Sequence, residues 1–313
     1  EDASHAMNIN FHAALGYTNC YVQYTTVDDT AWANAQIQTG SYITYGANSS
    51  NPFYNQSAKN DAGTNITQTV TFLDYSVTLS ALMPATHYMY RICDGTNFTE
   101  TYRFKTAGAE EWSFVVTGDF HEYYKTYGGQ RIGNATKAIN AAISLAKQNA
   151  WADVEHIVGI GDIVAWGVDY GQWKNVYDTN WIKNYSFANT LGNHDAMDRN
   201  SVHINNYNII CNNYPLNGYG NQIGNCFYYI YNNVLFIYTS YMDTSAEAEA
   251  WANNVVKTNQ GRYKYSVLVN HYPAISKYSG TTYSGFWNTW ADFCDTNNID
   301  LVLAGDHHVY TRT

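Results

Sequence analysis

Short runs of alternating apolar and polar residues fill the first third of the chain: "GSYITYGA", "TQTVTFL", "YSVTLSALMPATHYMYRI" and "TETYRFKT". Clusters of Asn, Gly, Asp and Ser separate them, and no convincing helical spacing appears there. A period of two places successive side chains on opposite faces of a strand, so residues 1–108 are expected to form an all-β sandwich. Past residue 108 the pattern changes. Apolar strands such as "EWSFVVTGD", "VEHIVGIGD", "NVLFIYTSYM", "YSVLVNHYP" and "IDLVLAGDHH" alternate with "ATKAINAAISLAKQNA", "AEAEAWANNVV" and "FWNTWADFCDTN". In the first of these helical stretches, Ala138, Ile139, Ala142, Ile143, Leu145 and Ala146 approximate a helical stripe. Strand and helix in alternation predict an α/β domain over residues 109–313.

Composition narrows the partners. The 313 residues carry 16 Lys and Arg against 26 Asp and Glu, a formal net charge of −10. That balance argues against nucleic acid or an anionic membrane as the main partner. No run of 18 apolar residues exists, so no membrane span is expected. Only 13% of residues are charged, while Tyr reaches 30 and Trp 9, which suits a β-rich fold with a polar, uncharged surface. So many tyrosines could also serve a homo-oligomeric or assembly interface.

Of the five cysteines, Cys211 and Cys226 bracket the loop "CNNYPLNGYGNQIGNC", which has the look of a disulfide-closed loop. Cys20 and Cys93 sit in strand-like stretches able to bridge a sandwich, leaving Cys294 over. Six N-x-S/T sequons occur, at Asn48, Asn55, Asn65, Asn97, Asn134 and Asn184. This composition would yield about five by chance, so the count alone decides nothing. The opening "EDASHAMNIN" is compatible with a processed, mature protein. Together these features favour a secreted or cell-surface protein, with an endolysosomal lumen as the alternative.

Candidate chemistry gathers at the strand ends of the second half. "FVVTGDFHEYY" delivers Asp119 and His121, and "HIVGIGDIVAWG" delivers Asp162. "ANTLGNHDAMD" delivers Asn193, His194 and Asp195; "YSVLVNHYP" delivers His271; "LVLAGDHH" delivers Asp306, His307 and His308. Asp and Asn after a glycine also shape ordinary turns. Five such clusters in order are more informative, because sites in open α/β sheets form at the carboxyl ends of strands. Gly118, Gly161, Gly192 and Gly305 precede the clusters and would let the backbone turn where each strand ends. Carboxylates and imidazoles together suit Zn, Mn or Fe. Two such ions about 3.5–4 Å apart can activate water for attack on phosphorus.

This ordered set resembles the calcineurin-like metallophosphoesterases: "GDFH", "GD" in "GIGDIVAWG", "GNHD", "VNH" and "GDHHVYTR". The first half is similar to the fibronectin-III-like domain that precedes the catalytic domain of purple acid phosphatases, with "VTLSALMPATHYMYRI" and "YRFKT" the matching stretch. The resemblance implies a binuclear hydrolase of phosphomonoesters or phosphodiesters, acting through a metal-bridged hydroxide. Asp119, His121, Asp162 and His308 would hold the first metal. Asp162 would bridge to a second one, bound also by Asn193 and His271. His194 would stabilise the transition state or protonate the leaving oxygen.

Three departures qualify what the resemblance implies. Purple acid phosphatases place a Tyr three residues after the bridging Asp, where this chain has Ala165, so no Fe(III)–tyrosinate is expected. Asp306 replaces the first His of the family's H-x-H block. Asp306 could ligate the second metal, His307 could swing in, or that site could be weak. The family's catalytic domain also continues past this block, so a chain ending at Thr313 is expected to lack its last strands. These last two departures support a rival reading, a binding or assembly glycoprotein that has kept the fold and lost efficient catalysis. Around the ligands, Asp195 is expected to orient His194, and His307 to face the second layer or the substrate. His156, Trp166 and Trp173 read as packing, and the Asn-rich loop over residues 205–225 as an excursion at the site mouth.

Overall fold

The structure, a computed structural model, describes residues 2–45, 54–55, 68–108, 111–122, 130–196, 210, 215–241, 243–273, 284–310 and 312. Two compact units divide the chain. The first holds Glu1–Val115, Tyr124–Ile157 and Val168–Phe187, and the second holds Val116–Tyr123, Val158–Gly167 and Ala188–Thr313.

The first unit contains two antiparallel sheets. One has β1 (Met7–Ala13), β7 (Phe72–Leu79) and β4 (Ser41–Tyr45) in the order β1-β7-β4. The other has β2 (Tyr21–Thr26), β3 (Gln36–Thr39), β8 (His87–Cys93) and β9 (Tyr102–Lys105) in the order β3-β2-β8-β9, and β5 (Tyr54–Asn55) with β6 (Gln68–Thr69) forms a two-stranded ribbon. Alternation builds the core. Ile9 sits opposite Val77 in the β1–β7 register and both are buried, as are Val22, Tyr24, Leu79, Tyr88 and Phe104 around them. A slip of one residue would turn every one of these side chains on β1 to the other face.

The cysteine expectations change here. Cys20, Cys93, Cys226 and Cys294 are free thiols. The β2–β8 register pairs Tyr21, not Cys20, with Cys93. Cys20 precedes β2 and is thus one residue out of step with Cys93. Cys226 instead accepts a hydrogen bond from the Ser240 N–H at 3.2 Å, and Cys211 lies outside the described residues.

The α/β part runs β10 (Ser113–Thr117), α1 (Gln130–Gln148), β11 (Val154–Gly159), α2 (Tyr170–Tyr177), α3 (Asn180–Asn184) and β12 (Ser186–Asn189). Strands β10, β11 and β12 form one sheet in that order. At one end of the first pair the Ser113 N–H bonds the Asp153 carbonyl, and at the other the Ile160 N–H bonds Thr117, so β10 and β11 run in the same direction. The buried stripe of α1 is Ile132, Ile139, Ile143 and Ala146; Leu145 and Ala138 face solvent instead of joining it.

The second unit carries β13 (Phe227–Tyr231), β14 (Val234–Tyr238), α4 (Ala246–Thr258), β15 (Tyr265–Val269), α5 (Ser284–Asn297) and β16 (Leu301–Leu303). Their sheet order is β13-β14-β15-β16, with only the first pair antiparallel. All five residues of β14 are buried, the continuous apolar run of a strand covered on both faces. Ala248, Ala252, Val255 and Val256 of α4 pack on Leu235, Ile237 and Leu268, with Trp290 and Phe293 of α5. Ser245 caps α4 by accepting the Ala248 N–H at 3.1 Å, and Glu247 and Glu249 complement the positive end of the helix dipole. Among the described residues no helix is long and apolar enough to cross a membrane.

Candidate metal centre

Every strand-end cluster named from the sequence lies in the second unit. Backbone hydrogen bonds zip the loops together: Asp119 N–H to Gly161, His121 N–H to Asp162, and Gly305 N–H to His271, all between 2.8 and 3.0 Å. The sharp turns fall on the ligand residues themselves. Asp119, His121, Asp162, Asp306 and His308 have φ between 46° and 70°, the left-handed region that L-residues enter at a cost. Of the four preceding glycines only Gly161 has positive φ, at 91°. The glycines serve chiefly to make room. A Cβ on Gly192 would stand 2.2 Å from Asp162 Oδ1, and one on Gly305 would stand 2.6 Å from Asp119 Oδ2.

The side chains converge as two poles joined at one atom. At the first, His121 Nε2 and His308 Nε2 are 2.9 Å apart, Asp119 Oδ1 lies 3.8 Å from His308 Nε2, and Asp162 Oδ2 lies 3.4 Å from His121 Nε2. At the second, His271 Nε2 lies 3.3 Å from that same Asp162 Oδ2, 3.1 Å from Asn193 Oδ1 and 3.9 Å from Asp306 Oδ1. Donors each about 2.1 Å from one ion stand roughly 3–4 Å apart, so both sets fit a cation. Charge points the same way. Among the described residues, Asp119 and Asp162 form ion pairs only with histidines, and a buried carboxylate left without a cation is costly. Three donor groups able to hold a metal recur here: Asp119, His121 and His308; His121, Asp162 and His194; Asp119, Asp162 and His271.

Titration reflects this crowding. Burial raises the Asp119 carboxyl, and the positive charge of His271 only partly offsets it. Burial acts on Asp162 too, but the hydrogen bond and charge of His271, with His121 and His194, hold it below its ordinary value. His271 answers in kind: burial pushes it down, yet Asp162 outweighs that and lifts it to about 9.

Behind the poles the backbone positions the imidazoles. His271 Nδ1 donates to the Ile160 carbonyl at 2.8 Å, which leaves Nε2 facing Asp162 and Asn193. His194 Nδ1 bonds the Ala165 carbonyl at 2.9 Å, and its ring meets the His121 ring edge-on at 4.3 Å between centroids. Asp195 does something other than orient His194. Its carboxylate is buried and accepts the N–H groups of Asp162, Ile163, Val164 and Gly192 at 2.9–3.2 Å, clamping two ligand loops together. Burial and the neighbouring Asp162 charge push its pKa up to about 7, against those backbone donors. The anchoring carbonyls of Ile160 and Ala165 leave no trace in a sequence, since any residue supplies one. His307 Nε2 pairs with Asp306 Oδ2 at 3.2 Å. Trp173 is buried in α2, and the described part of the 205–225 loop is pinned to Trp251 of α4 and Tyr228 of β13.

The calcineurin-like phosphoesterase family matches residues 113–310, a span that contains every donor above. The chain belongs to that family. The N-terminal domain of purple acid phosphatases matches residues 1–106, so the chain carries a match to each of the two domains. Among solved structures, purple acid phosphatase PPD1 from yellow lupin (Lupinus luteus) seeds is similar in fold, with a TM-score of 0.67 at 13% identity. The match covers 99% of this chain and 57% of that one, so the chain spans little more than half the lupin protein's length. The structure of PhoD is similar with a TM-score of 0.50 at 12% identity, over 98% of this chain and 70% of the other. None of the curated proteins matches this sequence.

Proposed function

We propose that the protein is a metal-dependent hydrolase of phosphate monoesters, with phosphodiesters as a second substrate class. The observation that carries this reading is the shared oxygen: Asp162 Oδ2 stands 3.4 Å from His121 Nε2 and 3.3 Å from His271 Nε2, between two donor sets. Asp119, His121, Asp162 and His308 would hold one cation, and Asp162, Asn193, His271 and Asp306 the other. When bound, such a pair supplies Lewis acidity toward phosphoryl oxygens and makes water a stronger acid.

The chain's own part is position and protons. Nδ1 of His194 is engaged by the Ala165 carbonyl, which leaves Nε2 as the ring nitrogen able to exchange a proton, and the residue stands in one donor group with His121 and Asp162. From there an imidazolium can stabilise charge on a phosphoryl oxygen or give its proton to the leaving alkoxide. Asp162 Oδ1 accepts the backbone N–H of His194 at 2.8 Å, which fixes the main chain that carries the imidazole against this carboxylate. An extracellular or endolysosomal setting is part of the proposal, supported by the exposed sequon asparagines Asn97 and Asn134. The amide of Asn184 is engaged with Asn180 and Arg103.

Hydrolysis of p-nitrophenyl phosphate, with and without chelator, tests the reading. Expected is turnover that chelator abolishes and Mn²⁺ or Zn²⁺ restores. His194→Ala should lower kcat by about 10²–10⁴ with metal content unchanged. Absent turnover with metals demonstrably bound would favour the second reading, a binding or assembly protein on the same fold. The observation behind that alternative is Asp306, whose carboxylate adds negative charge where an anionic substrate would sit.

A further inference from the structure

The two poles differ in donor chemistry. The first offers two imidazole nitrogens, His121 Nε2 and His308 Nε2, with the carboxylate oxygens of Asp119 and Asp162. The second offers one imidazole nitrogen, His271 Nε2, against three oxygens from Asp162, Asn193 and Asp306. Asp119 lies within reach of both sets, and counting it at the second would only enrich that pole in oxygen. Imidazole favours zinc and iron, whereas carboxylate and amide oxygens favour manganese, magnesium and calcium.

The Asp306 carboxylate is held in place on both sides. Its own N–H donates to Asp119 Oδ1 at 3.0 Å, and its Oδ2 pairs with His307 Nε2 at 3.2 Å, which leaves Oδ1 as the oxygen toward His271. His307 is thereby a positioning residue for Asp306.

We infer that the centre takes two chemically different cations, a zinc-like ion at the His121–His308 pole and a harder, manganese-like ion at the His271 pole, and that Asp306 sets the difference. The inference rests on the metal-dependent reading above and adds the identity class of each ion. With one nitrogen among the described residues, the second pole gains little from zinc. Manganese tolerates an oxygen-rich shell and is matched there by two anionic carboxylates.

Binding measurements on the metal-free full chain decide the matter without recourse to activity. Calorimetric titration with Zn²⁺ should show one tight ion per chain and a second at least tenfold weaker. Mn²⁺ added to the one-zinc protein should bind at one per chain, followed by electron paramagnetic resonance. Asp306→His should tighten the second zinc at least tenfold and weaken manganese by a similar factor. Asp306→Asn should weaken manganese and leave the first zinc unchanged. Two zinc ions of equal affinity in the parent protein would overturn the inference, and that measurement needs no variant to fold. So would an unchanged metal preference in folded Asp306→His. Equal zinc sites with chelator-sensitive turnover would overturn this inference alone, and one zinc plus one manganese without turnover would overturn the hydrolase reading alone. No metal bound at all would overturn both.

Discussion

Asp195 shows how much one buried side chain can hold. Four backbone N–H groups, from the Asp162 and Gly192 loops, converge on its two oxygens. Asp195→Asn keeps the shape but replaces one acceptor oxygen with a donor, so at least one buried N–H loses its partner. The expected cost is about 2–4 kcal/mol, read from urea denaturation of the parent and variant proteins. At Gly192 the constraint is steric. Gly192→Ala would press a methyl against Asp162 Oδ1 and displace the bridging carboxylate, so both metals should bind at least tenfold more weakly by calorimetry, and unchanged affinity would refute this account of the glycine. The candidate donors were legible because Asp, Asn and His at successive strand ends are a pattern in the letters. Their left-handed backbone was not, since the glycine before each cluster looked like the natural place for the turn. Nor was the clamp by Asp195, whose partners are main-chain amides with no sequence signature.

At the scale of elements, period-two runs led to β4, β7, β8 and β9, and apolar runs to β10, β11, β14, β15 and β16. The helical stripe of α1 was read less well, because Ala is tolerated on either face and Leu145 is an apolar residue placed at the surface. Strand β16 departs from expectation in another way. It is the last strand in its sheet order, and Leu301 and Val302 are 42% and 41% exposed although the sequence around them reads as buried. Among the described residues no strand pairs with the outer side of β16, and an apolar edge strand invites pairing with another chain. Protein of these 313 residues should therefore self-associate as its concentration rises, and Val302→Lys should suppress this in light scattering. Equal association of both proteins would show that the edge is not the contact.

On the scale of the whole molecule, the first unit carries a pH dependence of its own. His12 and Asp74 face each other across β1 and β7, with His12 Nδ1 3.0 Å from the Tyr170 hydroxyl. Burial lowers His12 to about 4 and raises Asp74 to about 6. The two slopes oppose each other. Folding is favoured by neutral His12 above its ordinary 6.5, an advantage lost as pH falls toward 4; for Asp74 the advantage is full below 3.8 and is lost as pH rises through 6. Between pH 4 and 6 they largely cancel. Asp74→Asn removes one slope, so its stability should fall on going from pH 6.5 to 4.5 relative to the parent. Denaturation curves at the two pH values check this, and parallel curves would refute it. None of this pair was visible in the sequence, because His12 and Asp74 meet only through strand register.

The spacing of the metal donors along the chain also has a consequence in time. His121 and His308 are separated by 187 positions, yet their ring nitrogens share one pole. At roughly 5–20 residues per second, synthesis spends about ten to forty seconds between the first of these histidines and the last. Within that interval the chain gains Asp162, Asn193 and His271 in turn, while the first pole still lacks His308. The first pole is therefore complete only after β16 has been made.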